Sequence, residues 1–216
     1  MGTITRSFAN NLTTGGVLKA DAFNNASINN VTALNVAIAT GNMVLLSSQT
    51  ASSSASISFT TGIDSTYKEY EFYFINCHPA TDSAILQFNM STDSGSNYNV
   101  TKTTTFFYAY HNEADSSDGL TYETSYDLAQ STSFQNLGDN IGIDNDNSFS
   151  GSFTLFNPAS TTYVKHFISN TSTSKNEEVN SYIAGYGNTT SAINAIQFKM
   201  NSGNIDDGTI LMYGIV

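Results

Sequence analysis

Along most of this chain apolar side chains recur at every second residue, and that spacing belongs to a β-strand with one buried face, not to a helix. Ile57/Phe59/Thr61, Tyr70/Phe72/Phe74 and Leu86/Phe88/Met90 point one way, while Glu69, Glu71, Gln87 and Asn89 point the other. Residues 103–110 run from threonines into aromatics, a composition of strong β propensity. Further strands are expected at 149–156, 163–169, 182–186, 193–200 and 209–215. Between them lie turn clusters such as Ser94-Gly95-Ser96-Asn97 and Ser202-Gly203-Asn204. About nine short strands with such turns predict an all-β fold, an antiparallel β-sandwich of jelly-roll-like connection. Pro79 and Pro158 each follow a strand, where a missing N–H leaves the ladder intact. The closing pair, with Ile196/Phe198/Met200 and then Ile210/Met212 in phase, predicts that the C-terminus is an ordered edge of the fold.

The first 46 residues have a different character. No aromatic residue follows Phe23 there, and small polar residues interrupt the apolar ones throughout. Within 20–39, Ala22, Phe23, Ala26, Val31 and Leu34 partly fit a helix, but Asn24-Asn25 and Asn29-Asn30 oppose it, and short turns fit as well. An extended or partly helical arm is the expectation for 1–46, with the sandwich over 47–216. Such an arm has too little apolar surface for its own core and gains order by docking; packing back on its own domain is the alternative. Gln49 to Ser56 is a polar, low-complexity stretch that reads as a linker or exposed strand entry.

Composition narrows the partners. Seven Lys plus Arg against 18 Asp plus Glu give a net charge of −11, which disfavours phosphate backbones and anionic lipid. Nucleic acid and membrane insertion are therefore not expected. Charged residues make up only 12% of the chain, about half the usual share, so Ser, Thr, Asn and Gly must carry solubility. One cysteine, Cys77, allows neither an internal disulfide nor a Cys-based zinc site and reads as an inert buried thiol. The opening Met1-Gly2-Thr3-Ile4-Thr5-Arg6 has no signal-peptide pattern, and Arg6 breaks the myristoylation pattern.

No catalytic signature stands out. His78, His111 and His166 are far apart, and His166 sits in an alternating run where a strand histidine is the default. There is no G-x-S-x-G elbow. A glycosidase pair could be drawn from Glu113, Asp115 or Glu123, but carboxylate separation is invisible in a sequence. Asp144-Asn145-Asp146-Asn147-Ser148 opens like a calcium loop, yet Phe149 and Leu155 stand where Gly and the bidentate Glu belong. No metal or cofactor is expected. The acid-rich segment 111–142, without firm alternation, reads either as functional or as an insertion over one sheet face, and a partner-facing surface is expected there. Tyr108, Tyr110, His111, Tyr122 and Tyr126, beside acids and amides, are candidate contacts for a host-surface glycan or a protein partner; against this, tyrosines also cap core rims and oligomer seams.

Phe59 to Tyr70 (FTTGIDSTYKEY), Met90 to Tyr98 (MSTDSGSNY) and Gly208 to Ile215 (GTILMYGI) resemble a domain common among structural proteins of marine tailed bacteriophages, of tail-fibre, fibre-adaptor or capsid-decoration type. The resemblance covers about residues 43 to 216, and Phe8 to Val17 (FANNLTTGGV) is similar to the leader of such proteins. It implies a non-enzymatic virion surface protein, made in the host cytoplasm and exposed on the particle, often as a homotrimer. Other virion proteins of capsid or tail would be its partners. Phe8, Leu12, Val17, Leu18 and Phe23 would dock the arm on the particle. A lectin-like adhesin, and after it a glycan-cleaving enzyme, are the rival expectations.

Overall fold

The computed structural model describes residues 42–216. Twelve strands appear there: β1 (Met43–Thr50), β2 (Ile57–Phe59), β3 (Glu69–Pro79), β4 (Leu86–Ser91), β5 (Lys102–Asn112), β6 (Asp118–Tyr122), β7 (Gln135–Asn136), β8 (Phe149–Phe156), β9 (Lys165–Ser174), β10 (Glu177–Gly187), β11 (Ala195–Met200) and β12 (Ile205–Ile215). They form two sheets, ordered β1-β12-β3-β8-β9-β10-β5-β6 and β2-β11-β4-β7. Every pairing is antiparallel.

The order has a simple logic. Without β5, β6, β9 and β10, the sheets read β1-β12-β3-β8 and β2-β11-β4-β7. The first strand then pairs with the last, the second with the second-last, and so inward, which is the double Greek key of an eight-stranded jelly roll. The remaining strands are two insertions. They lie side by side beyond β8 and widen one sheet with an extension ordered β9-β10-β5-β6.

Alternation explains which side of each strand is buried. Tyr70, Phe72 and Phe74 of β3, Phe153 and Leu155 of β8, and Phe167 of β9 face inward from the large sheet. Leu86, Phe88 and Met90 of β4 and Ile196, Phe198 and Met200 of β11 answer from the small one. Rings interlock across the gap: Phe88 lies 4.6 Å from Phe153 and 4.9 Å from Phe167 between centroids, within the range where tilted aromatic pairs attract. Cys77 is fully buried, and that burial pushes its thiol up to about 12, so it stays protonated.

Several expectations need correction. The C-terminal strand is no edge: β12 runs between β1 and β3 and is hydrogen-bonded on both sides. Its closeness to β3 at one point depends on Gly208 (φ +111°), where a Cβ would stand 2.5 Å from the Cys77 Cα. β11 and β12 are not a hairpin within one sheet; 201–204 carries the chain from the small sheet to the large one. Met43–Leu46, expected in the arm, belong to β1, and so do Gln49 and Thr50 of the supposed linker. Pro79 is the last residue of β3 and faces Ile205, whereas Pro158 does follow β8.

Segment 111–142 is more ordered than its sequence implied. It completes β5, turns through β6, and then crosses the inner face of the extension. Leu137 and Ile141 are fully buried there. The Thr104 hydroxyl donates to the Gln135 side chain at 2.6 Å, and Thr171 donates to the Leu137 carbonyl. The insertion reading is therefore the one the structure bears out for 123–141, which covers this face and supplies partners for the buried Thr104 and Thr171 hydroxyls.

Two lysines are buried on that inner face, flanking Gly187 in register: Lys102 on β5 and Lys165 on β9. Lys102 donates to Asn89 Oδ1 (2.7 Å) and the Val100 carbonyl (2.9 Å), Lys165 to the Tyr163 and Thr189 carbonyls (2.8 and 3.0 Å). Burial lowers both amines, Lys102 to about 7. Between that value and the ordinary value near 10.5 the unfolded chain binds the proton that the folded chain has released, so stability rises with pH across this window. From pH 7 to 9.5 the gain is about 3 kcal/mol at ~1.4 kcal/mol per pH unit. Urea unfolding of the wild type and Lys102→Met at both pH values checks this: the variant should lack the rise. Cys77 and the tyrosines, which titrate in the opposite sense, cancel in the comparison. Parallel slopes for the two proteins would refute it.

Candidate functional site

The five residues expected to form one contact surface are divided between the two faces of the extension. Along β5, Phe106, Tyr108 and Tyr110 point inward, and Phe107, Ala109 and His111 point outward. Tyr126, in the covering segment, meets Phe106 edge-on at 5.1 Å and donates its hydroxyl to Asp139 at 3.0 Å. Burial, then the Asp139 charge, raises the Tyr126 hydroxyl, and the same causes raise Tyr108. Both stay protonated and pack against the core rim. Tyr122 and His111 lie on the other side: Tyr122 donates to Asp127 Oδ2 at 2.7 Å, and His111 Nε2 is 3.2 Å from Asp115 Oδ1 with both groups exposed. Phe8, Leu12, Val17, Leu18 and Phe23 lie outside the described residues.

The outer face of the extension gathers aromatic side chains of which the sequence had singled out only Tyr122 as a contact. Phe107 of β5 sits opposite Tyr182 of β10, and their rings stack at 5.2 Å and 10° although each is 39% exposed. Tyr122 of β6 is Phe107's partner on the other side, 51% exposed, with Leu120 beyond it at 74%. Two residues past Ala184 on β10, Tyr186 leans towards His166 of β9 at 6.1 Å. Ile168, opposite Ala184, is also exposed. Single exposed apolar residues need no explanation, but a contiguous group rimmed by polar residues marks an interaction surface. One signal was available: Phe106 and Phe107 are adjacent on a strand, so they must face opposite ways, and one of them had to be exposed or covered by a partner.

A groove of about 450 Å³ crosses this face. Thr103, Thr105, Ala184 and Ile168 line it, with Tyr186 and His166 along one side. Its size falls in the range of small-ligand sites.

A second hollow, about 540 Å³, opens where the β7–β8 connection meets the start of β12. Asp146, Asp206 and Asp207 line it with Asn76, His78 and Asn145, so the Asp144–Ser148 turn does face other acids. Among the described residues no group of three or more His, Cys, Asp or Glu side chains is placed to hold a metal ion. Of the carboxylates proposed as a glycosidase pair, Glu123 is held below its usual range by the Ser125 side chain and then by the Ser125 backbone N–H, which suits an ionised acceptor and not a proton donor. Asp115 is engaged with His111. No helix among the described residues is long and apolar enough to cross a membrane.

No protein-family model, curated protein or solved structure matches the chain.

Proposed function

We propose that the chain is a non-enzymatic surface protein of a tailed-bacteriophage particle, which docks through its N-terminal residues and displays the widened jelly roll outward. The observation that carries this reading is the placement of the two ends of the large sheet. The chain enters at β1, the outermost strand on one side, and the inserted strands with their exposed aromatic face lie at the other. Seven strand spacings of roughly 4.8 Å separate them, about 34 Å. Attachment and display are thereby kept apart. The resemblance of 59–70, 90–98 and 208–215 to phage structural proteins supports the same reading, as does a surface solubilised by Ser, Thr and Asn. A homotrimer on the capsid or tail is the expected assembly.

Mass spectrometry of purified particles should find the polypeptide at structural copy number. Removing residues 1 to 40 leaves β1 and every core residue among the described residues in place, so the truncated protein should melt as cooperatively as the whole chain while its copy number in particles falls at least tenfold. Normal incorporation of the truncated form would refute docking through the arm.

A second reading, a lectin-like adhesin, is favoured by one observation: the Phe107/Tyr182 stack and Tyr122 present aromatic rings to solvent on a rigid sheet.

A further inference from the structure

We propose that the groove across β5, β10 and β9 is a binding site for an uncharged oligosaccharide, laid across the strands along the row Thr105, Ala184, Ile168. The inference rests on the adhesin reading and is independent of where on a particle the protein sits.

Registry defines the shape. Same-face residues on one strand recur about every 6.8 Å, so the outer face is a set of transverse rows. One row is Tyr122, Phe107 and Tyr182; the next is Thr105, Ala184 and Ile168; the third is Thr103, Tyr186 and His166. On β10 the rings of Tyr182 and Tyr186 stand on either side of Ala184, while the middle row is low at Thr105 and Ala184 and carries the exposed Ile168 at its β9 end. The result is a trough whose two tyrosine walls, Tyr182 and Tyr186, stand about 13 to 14 Å apart along the β10 backbone. Continued to Thr154 of β8, which faces Ile168, it spans four strands, about 14 Å and roughly two or three linked pyranose rings.

Chemistry selects the occupant. A pyranose offers an apolar C–H face and a belt of hydroxyls, which suits ring walls beside Thr103, Thr105 and Asn170. Asn170, level with Tyr182 at the edge of the trough, is held at 2.8 Å by Asn180 one row further out, so that amide is ordered before any ligand arrives. Pre-ordering limits the entropic cost of binding. No Asp, Glu, Lys or Arg lines the groove between β5 and β9, Glu71, which accepts from Thr154, closes its β8 end, and in a chain of net charge −11 this arrangement suits an uncharged ligand, whereas an anionic one meets an unfavourable field.

The test uses the full chain, with soluble oligomers of glucose, mannose and N-acetylglucosamine two to six units long, and an array carrying neutral and anionic glycans. The expected result is binding of a neutral chain, weakened about tenfold or more by Tyr182→Ala or Tyr186→Ala. Ala184→Arg should abolish it. Position 184 points outward, so that variant should keep the wild-type melting curve, and Tyr163→Ala, on the exposed loop before β9 and outside the groove lining, should bind normally. Absence of neutral-glycan binding by the wild type, binding of anionic chains alone, or binding that survives Ala184→Arg would each overturn the proposal. An Ala184→Arg protein that lost self-association together with glycan binding would reassign the groove to a contact between copies. None of these outcomes bears on incorporation into particles, which is read separately by mass spectrometry.

Discussion

Removing residues 208–216 should leave a chain that is insoluble, or soluble without a cooperative melt. These residues form most of β12, whose hydrogen bonds hold β1 on one side and β3 on the other. Because the strand lies inside its sheet, its loss exposes two unpaired edges at once and cuts β1 from the fold. Ile210 and Met212, both buried, contribute roughly 1.5 to 3 kcal/mol each through burial alone. With two ladders of hydrogen bonds also lost, the deficit reaches the ~5 to 15 kcal/mol that stabilises a whole domain. Unpaired edges recruit other chains, so gel filtration should show aggregates where circular dichroism shows no transition. A monodisperse, cooperatively melting truncation would mean that β1 and β3 can close on each other without β12, and the strand order described above would be wrong.

Phe198→Ala should lower stability by about 3 to 5 kcal/mol, the usual cost of emptying a buried aromatic site. The ring is fully buried at the middle of the small sheet and meets four others: Phe74 at 5.1 Å, Phe72 at 5.5 Å, and Phe59 and Phe153 at 6.2 Å. Three of those belong to β3 and β8 of the opposite sheet. The residue is therefore a contact between layers, and its neighbours are too constrained by their own strands to collapse into the void. Calorimetry should show the melting temperature lowered by roughly 6 to 20 °C for a domain of this size. A loss below 1 kcal/mol in urea unfolding would contradict this account of the core. Tyr163→Ala, at a 70% exposed position, serves as the reference and should change stability by less than ~0.5 kcal/mol.

Much of the sandwich was legible because alternation is a local property. The nine expected segments all contain strand. The missed strands lack that signal for identifiable reasons: β1 carries a register shift between Leu45 and Ser47 that breaks the period, β6 is short and has no buried residue, and β7 is two residues long. Which strand neighbours which was not legible beyond the jelly-roll expectation, since pairing depends on contacts distant in sequence. The candidate site was half legible. Aromatic residues around 108–126 do cluster, but face parity separates Tyr108 and Tyr110 from Tyr122, and the ring that pairs with Phe107 comes from Tyr182, far along the chain. Lys102 and Lys165 left a readable trace: each is in phase with an inward phenylalanine, Phe106 and Phe167, so each had to be buried or to break the strand.

Nesting the first strand against the last also fixes when the sandwich can form. Met43 pairs with Ile215 across almost the whole described chain, and sheets dominated by such long-range pairs fold in milliseconds to seconds. During synthesis the outer pair of strands cannot close until β12 has emerged, so β1 and β2 must wait unpaired while the ribosome completes everything between them. The β9–β10 hairpin is different. Only Lys175 and Asn176 separate its strands, with Asn176 in the left-handed conformation (φ 56°) that tight hairpins use, and it can form within microseconds of its own synthesis. The piece that bears Tyr182, Ala184 and Tyr186 is thus the early, locally encoded part of the molecule, and the eight-stranded frame around it is assembled last.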